Sequence, residues 1–306
     1  PEQLPPGHIL KYTESETIIK QVKRLKKPVE TTEKETRVLE SLNKIMNTVA
    51  QQITQKNPEG VVAFSGGIDS ILAAQYLDRN GCRIELVCTG LQGQPELEIA
   101  QEAANHLGLQ LHTEVYTVEE IEEKLDRIIT SVEEPDPMSI GIAYPFHWVA
   151  EKTVELGKQT VFSGNGSDEL FGGYMRYLKE HNEGRDVSDT MFNDVAESWK
   201  NNFHRDTKTC LDQGASLVLP FAHPGLVNYG LSIPVNMKLS SMDQTRKKIL
   251  RKLARQQGIP DKLAKRPKKA AQYSTGVDKV LNKIAKKQDQ TLRELAEKHW
   301  KKVFQR

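Results

Sequence analysis

Val61-Val62-Ala63-Phe64-Ser65-Gly66-Gly67-Ile68-Asp69-Ser70-Ile71-Leu72-Ala73-Ala74 is the stretch that decides the fold. An apolar run of strand length ends in a Ser-Gly-Gly turn, and a helix-forming run starts directly behind it. The turn gathers hydroxyls, free backbone N–H groups and one carboxylate at a helix N-terminus. Such groups suit pyrophosphate, because N–H groups and the positive end of a helix dipole attract an anion. Ser65, Gly66, Gly67 and Ser70 are therefore candidate phosphate-binding residues, and Asp69 can hold a Mg²⁺ that bridges phosphate oxygens. The Gly-Lys-Ser/Thr ending of a Walker loop is missing, which disfavours γ-phosphoryl transfer.

A second cluster repeats the arrangement. Gln159-Thr160-Val161-Phe162 reads as a short buried strand, and Ser163-Gly164-Asn165-Gly166-Ser167-Asp168-Glu169-Leu170-Phe171-Gly172-Gly173-Tyr174 follows it. Ser163, Gly164 and Gly166 allow backbone to approach a nucleotide closely, and Asp168 can supply a second carboxylate to Mg²⁺.

Between and around these loops the pattern alternates. A helix is expected over 32–56, opened by the capping box Thr32-Glu33-Lys34-Glu35 and striped by Val38, Leu39, Leu42, Ile45, Met46, Val49 and Ile53. Then come strand 61–64, helix 70–80, strand 84–89, helix 95–107, strand 110–115, helices near 118–132 and 142–156, and strand 159–163. This alternation predicts an α/β fold, a doubly wound parallel sheet with a helical C-terminal extension. Three regions are expected: an extended segment over 1–31, an α/β core over 32–175 that carries the phosphate-binding loops, and a mainly helical region over 176–306. If strand 159–163 lies beside strand 61–64, both glycine loops meet at the topological switch point, where ligands bind.

Composition fits a cytoplasmic enzyme. Hydrophobic residues make up 37% of the 306, enough for a core. No apolar run approaches the ~20 residues that span a bilayer, so no membrane segment is expected. Cys82, Cys88 and Cys210 form no Cys-x-x-Cys pair, which argues against zinc ribbons and disulfide scaffolds. Charge is uneven. Residues 245–306 carry 20 Lys+Arg against 5 Asp+Glu, while the remainder carries 23 against 36. A basic tail could bind RNA phosphates. Leu281, Ile284, Ala285, Leu292, Leu295 and Ala296 recur there at helical spacing, however, and a solvated amphipathic helix explains the same lysines.

Ser-Gly-Gly-Ile-Asp-Ser resembles the PP-loop of the ATP pyrophosphatases, which split ATP between the α and β phosphates. That loop alone does not choose among asparagine, GMP, NAD and argininosuccinate synthetases, tRNA-modifying ligases and sulfurtransferases. The second cluster does. It closely resembles the Ser-Gly-Glu-Gly-Ser-Asp-Glu-Leu-Phe-Gly-Gly-Tyr stretch of asparagine synthetases, and the likeness runs from about Leu4 to Val280. It implies that Thr89 and Gly90 line an adenine slot, although an ordinary strand-end turn reads those residues equally well. Lys247-Lys248-Ile249-Leu250-Arg251 is similar to the family's Lys-x-x-Leu-Arg helix, which makes Lys247 a nucleotide-binding candidate. Arg205-Asp206-Thr207-Lys208 is similar to its Arg-x-x-Lys. Arg266-Pro267-Lys268 matches the Arg-x-Lys that sets a lysine against the α-phosphate, with Lys269 the rival in register and a solvated basic loop the plain alternative. A lysine there would stabilise charge developing on phosphorus and then on carbon.

Three departures concern the acceptor. Pro1 begins near the family's linker, so free ammonia, another amine or a separate glutaminase subunit is expected to supply the nucleophile. Asn165 stands where the family has a glutamate that helps deprotonate the attacking amine, and an amide is no general base. Ser216-Leu217-Val218-Leu219-Pro220-Phe221-Ala222-His223 replaces Glu-x-Arg-x-Pro-Phe-Leu-Asp, losing the Arg fork that suits a dicarboxylic amino acid.

The reading is a Mg²⁺-ATP-dependent carbon–nitrogen ligase, with catalytic roles for Asp69, Asp168 and Lys268. Its substrate would be a small carboxylate not restricted to aspartate. A homo-oligomer is also open. The alternatives are a PP-loop enzyme adenylating a tRNA base and a non-catalytic ATP-binding subunit.

Overall fold

The structure, a computed structural model, describes residues 4–266 and 275–305. The expectations for Pro267, Lys268 and Lys269 lie outside the described residues. The chain opens with a hairpin, β1 (His8–Tyr12) and β2 (Thr17–Gln21), paired antiparallel with Tyr12 opposite Thr17. Sequence reading saw only an extended segment here. Ile9, Leu10, Ile18 and Ile19 are all exposed, so no buried face imposes an alternation of apolar and polar residues.

The first long helix, α1 (Glu35–Lys56), begins at Glu35 and not at Thr32, and the capping box expected at Thr32–Glu35 does not form. Two upstream bonds explain this. The Thr31 N–H donates to the Ser232 carbonyl at 2.8 Å and the Glu33 N–H to Thr31 Oγ1 at 3.2 Å, which keeps the lead-in extended. The apolar stripe is as read: Val38, Leu42, Met46, Val49 and Ile53 are buried, with Ile45 packed at the edge.

Then β3 (Glu59–Ala63), α2 (Ile68–Arg79), β4 (Arg83–Leu91), α3 (Pro95–Leu107), β5 (Leu111–Tyr116), α4 (Val118–Val132), α5 (Pro137–Glu155) and β6 (Thr160–Phe162) alternate. Helix α5 starts five residues earlier than its apolar pattern indicates. Asp136 caps it by accepting from the Ser139 N–H at 2.7 Å, and Pro137 occupies the first turn, where its missing N–H costs nothing. Helices α6 (Ser167–Phe171), α7 (Met175–Asn182), α8 (Ser188–Ser198) and α9 (His204–Asp212) follow, and then a fifth sheet strand, β7 (Ser216–Val218). The remaining helices are α10 (Pro224–Ser232), α11 (Val235–Lys238), α12 (Lys248–Gln256), α13 (Asp261–Ala264), α14 (Val277–Lys287) and α15 (Leu292–Phe304).

The five strands run parallel in the order β5-β4-β3-β6-β7. The chain builds outward from β3 through β4 to β5, then returns to the other side of β3 with β6, so the adjacency that the switch-point reading requires is present. Period-two alternation divides the core between the sheet's faces. Val62, Leu86 and Phe162 pack with α1 and α2, while Val61, Val87 and Val161 pack with Phe146 and Val149 of α5 and Cys210 of α9. Strand β7 was not legible because three residues carry no period. Its pairing of Leu217 with Val161 comes from residues 56 positions apart.

The lysine-rich end of the chain packs through its apolar stripe. Leu281, Ile284, Ala285, Leu295 and Ala296 join Ile121, Leu125, Ile128 and Trp148 in a second core. No helix among the described residues is long and apolar enough to cross a membrane.

Within α5, His147 has no exposed surface, and its Nε2 lies 3.5 Å from Lys124 Nζ. Burial first, then the Lys124 ammonium, lowers its pKa to about 4. The folded protein thus keeps His147 neutral, whereas the unfolded chain takes up that proton near pH 6.5. Stability should fall as pH drops from about 6.5 towards 4, by at most roughly 3 kcal/mol from this residue. Urea unfolding from pH 7 to 4.5 should show a flatter pH slope for His147→Gln than for the unaltered protein.

Candidate active site

The two glycine loops leave the C-terminal ends of neighbouring strands, β3 and β6, and touch. Gly164 stacks its backbone on the start of α2 so closely that a Cβ at this position would lie 2.7 Å from Asp69 Cβ and 2.9 Å from the Asp69 carbonyl carbon. Gly66 (φ +65°) is held as tightly, with Ile99 O 2.9 Å from its would-be Cβ. Only glycine allows both the left-handed backbone at 66 and the contact at 164. Across the seam Ser167 Oγ donates to Asp69 Oδ1 at 2.6 Å. The Gly67 N–H donates to Ser65 Oγ at 3.3 Å, and Ser70 Oγ donates to the Gly67 carbonyl at 3.0 Å, shaping the first turn.

A third segment closes the site. Lys247 stands at the N-cap of α12 with φ 56°, and this left-handed residue turns its side chain under the seam. Its buried ammonium donates to Asp69 Oδ2 and lies 2.7 Å from Asp168 Oδ1, so one cation is shared by both carboxylates. Burial lowers the lysine's pKa, opposed by the Asp69 charge. Strain at 247 and loss of hydration are offset by two charge-assisted contacts.

The cleft above is lined by Ser65, Gly67, Asp69, Ser70, Thr89, Ser163, Gly164, Asn165 and Asp168, and by Lys247. Among the residues singled out from sequence, Gly66, Gly90 and Gly166 lie behind this lining. Their would-be Cβ atoms point at Ile99, Leu97 and Phe203 respectively. Three arginines add positive charge: Arg246, Arg251 and Arg266. Arg246 NH1 donates to the Gly173 carbonyl at 2.6 Å, Arg251 Nε to the Arg246 carbonyl at 2.7 Å, and Arg266 NH1 to the Ser65 carbonyl at 3.2 Å. Sequence reading did not single out Arg246, because no spacing distinguishes it from the surrounding basic residues. The lining also has an apolar part, in which Phe146 and Val149 of α5 pack with Val87 of β4, and Pro145 and Cys88 join them in the cleft. Part of the cleft therefore suits a polyanion and part a flat apolar group.

The acceptor-side departures have structural explanations. Phe221 is fully buried and meets Phe171 edge-on at 6.2 Å, and His223 caps α10 by accepting the Gly225 N–H at 3.3 Å. Lys208 points away from the cleft to Glu133, 2.7 Å distant.

The profile of the Asparagine synthase family matches residues 42–214 and 185–304. The chain belongs to that family. It is 32% identical over 275 residues to "Putative asparagine synthetase (glutamine-hydrolyzing) 1" of Methanocaldococcus jannaschii, covering 79% of this chain and 50% of that protein. It is 30% identical over 216 residues to the root asparagine synthetase of Pisum sativum, covering 67% of this chain and 37% of that one. The chain thus spans about half the length, or less, of these asparagine synthetases. Among solved structures, the NMN synthetase of Francisella tularensis aligns over 89% of this chain and 93% of its own, with a TM-score of 0.44 and 14% identity.

Two outcomes are expected from the seam. Gly164→Ala should force the loops apart and cost about 1–3 kcal/mol in thermal unfolding. Lys247→Met removes the shared ammonium, and thermal unfolding should show a loss of about 3 kcal/mol.

Proposed function

We propose that this asparagine synthase family chain is a Mg²⁺-ATP-dependent carbon–nitrogen ligase. It would adenylate a substrate carboxylate, release pyrophosphate and form an amide when ammonia or an amine displaces AMP. The observation that carries the reading is the seam itself: Asp69 and Asp168, from two loops on adjacent parallel strands, share one cation at the floor of an arginine-lined cleft.

Two hard carboxylates already facing a single positive charge fit Mg²⁺, whose preferred ligands are oxygens completed by phosphate and water. Asp69 and Asp168 would hold that ion, which neutralises phosphate charge when bound. Ser65, Gly67, Ser70 and Ser163 would hydrogen-bond the departing pyrophosphate at the N-terminus of α2. Lys247, Arg246, Arg251 and Arg266 would offset the triphosphate charge. The apolar wall of Phe146, Val149 and Val87, with Thr89, would take the adenine. Lys268 would meet the charge that builds on the α-phosphorus and then on the acyl carbon. Holding carboxylate and α-phosphorus together in a walled cleft supplies much of the rate in such reactions.

Incubation with Mg²⁺-ATP, ammonium chloride and a panel of carboxylates including aspartate should release AMP and pyrophosphate in equal amounts. Asp69→Asn should lower that release at least about a hundredfold, as expected for loss of a preorganised charge, while still unfolding in one cooperative transition. ADP as product overturns the reading. Mg²⁺-ATP binding without AMP or pyrophosphate for any acceptor would instead make the chain a nucleotide-binding subunit.

A further inference from the structure

Helix α14 buries its whole apolar stripe, Val277, Val280, Leu281, Ile284 and Ala285, in the second core. Its outer face is left with Lys279, Asn282, Lys283, Lys286 and Lys287, which together line an open groove. The lysines follow helical spacing, so they share one face, and the run from Lys279 to Lys286 covers about 11 Å at roughly 1.5 Å per residue. Lys302 of α15 pairs with Asp126, and Lys298 donates to Gln288 at 2.9 Å. By contrast, Lys279, Lys283, Lys286 and Lys287 have no hydrogen bond or ion pair among the described residues. Asp278 is the helix's single acid. Like charges three and four positions apart repel, so this row weakens the helix that carries it. A bound polyanion would offset that repulsion.

We propose that the lysine face of α14 docks double-helical RNA through its phosphates, without reading sequence. A lipid surface requires apolar side chains to enter it, and those of α14 are already buried. Single-stranded nucleic acid is held largely by stacking on aromatic rings, and α14 carries none. The carboxylates of an acidic protein are best met by arginine forks, whereas every cation of α14 is a lysine, a point charge on a flexible stem that follows a phosphate chain. In A-form RNA the major groove is narrow, which brings phosphates of both strands within reach of one lysine row. The major groove of B-form DNA is about 12 Å wide and separates them. The rest of the molecule directs the RNA to this face, because residues outside 245–306 carry 23 Lys+Arg against 36 Asp+Glu and repel a polyanion. The first turn of α14 adjoins Thr275, which lines the cleft, so a duplex along the row has the cleft at one end.

The test titrates the protein into a fluorescently labelled RNA duplex of arbitrary sequence, about 16 base pairs long, and follows anisotropy. Binding should weaken about a hundredfold between roughly 50 and 200 mM salt, as expected when about four phosphates are neutralised. The combined variant Lys279→Gln, Lys283→Gln, Lys286→Gln, Lys287→Gln should bind at least about tenfold more weakly at low salt and lose most of the salt dependence. All four side chains are exposed, so its melting temperature and its Mg²⁺-ATP affinity should not change. A charge-matched control on the exposed amino-terminal segment, Lys20→Gln, Lys23→Gln, Lys26→Gln, Lys34→Gln, should bind RNA like the unaltered protein. A DNA duplex of the same sequence and polyglutamate should both bind more weakly than the RNA. None of these readouts needs turnover, so they stand whether or not a carboxylate is adenylated. Failure to bind the RNA duplex at low salt overturns the proposal. So do equal losses in the α14 variant and the control, or DNA or polyglutamate binding as tight as that of the RNA.

Discussion

One ammonium group holds the functional part of this molecule together. Lys247 lies 178 residues after Asp69 and 79 after Asp168, yet it contacts both carboxylates. Two acids at the mouths of adjacent strands repel unless a cation joins them, so the contact between the glycine loops depends on that lysine. The lysine in turn depends on its left-handed backbone and on α12, whose Ile249, Leu250 and Leu253 are buried in the main core. Sheet, loops and helix thus meet at a single point of charge balance.

That point explains why the glycines fall where they do. Gly164 and Gly66 are needed because backbone meets backbone there, at distances no side chain allows. They shape the seam, while Ser65, Ser70, Ser163 and the arginines present the polar atoms. The division of labour also accounts for the cleft's two characters. Loops and α12 bring positive charge to one wall, and α5, packed on the other face of the sheet, brings Pro145, Phe146 and Val149.

The acceptor end follows a different logic. Behind Asn165 the fully buried Asp206 accepts from its amide nitrogen and pairs with Arg205. The neighbouring segment, Ser216–His223, serves the fold: β7 completes the sheet, Phe221 fills the core and His223 caps a helix. Its loss of charged residues is therefore compatible with a well-packed structure.

The sequence by itself determined four of the five sheet strands and the two glycine loops, because strand-turn-helix signals are local and repeat with a clear period. It also determined family membership, carried by two contiguous motifs. It misplaced the start of α1, since the Thr31 bond to Ser232 that keeps the lead-in extended joins residues 201 positions apart. It could not find β7, the cleft role of Arg246 or the Asn165–Asp206 contact, because none of these has a periodic or motif signature. Only the tertiary structure decided that Lys247 neutralises both acids and that a buried carboxylate stands behind Asn165. Each is a long-range charge contact, set by where packed elements bring side chains and not by the order in which the chain lists them.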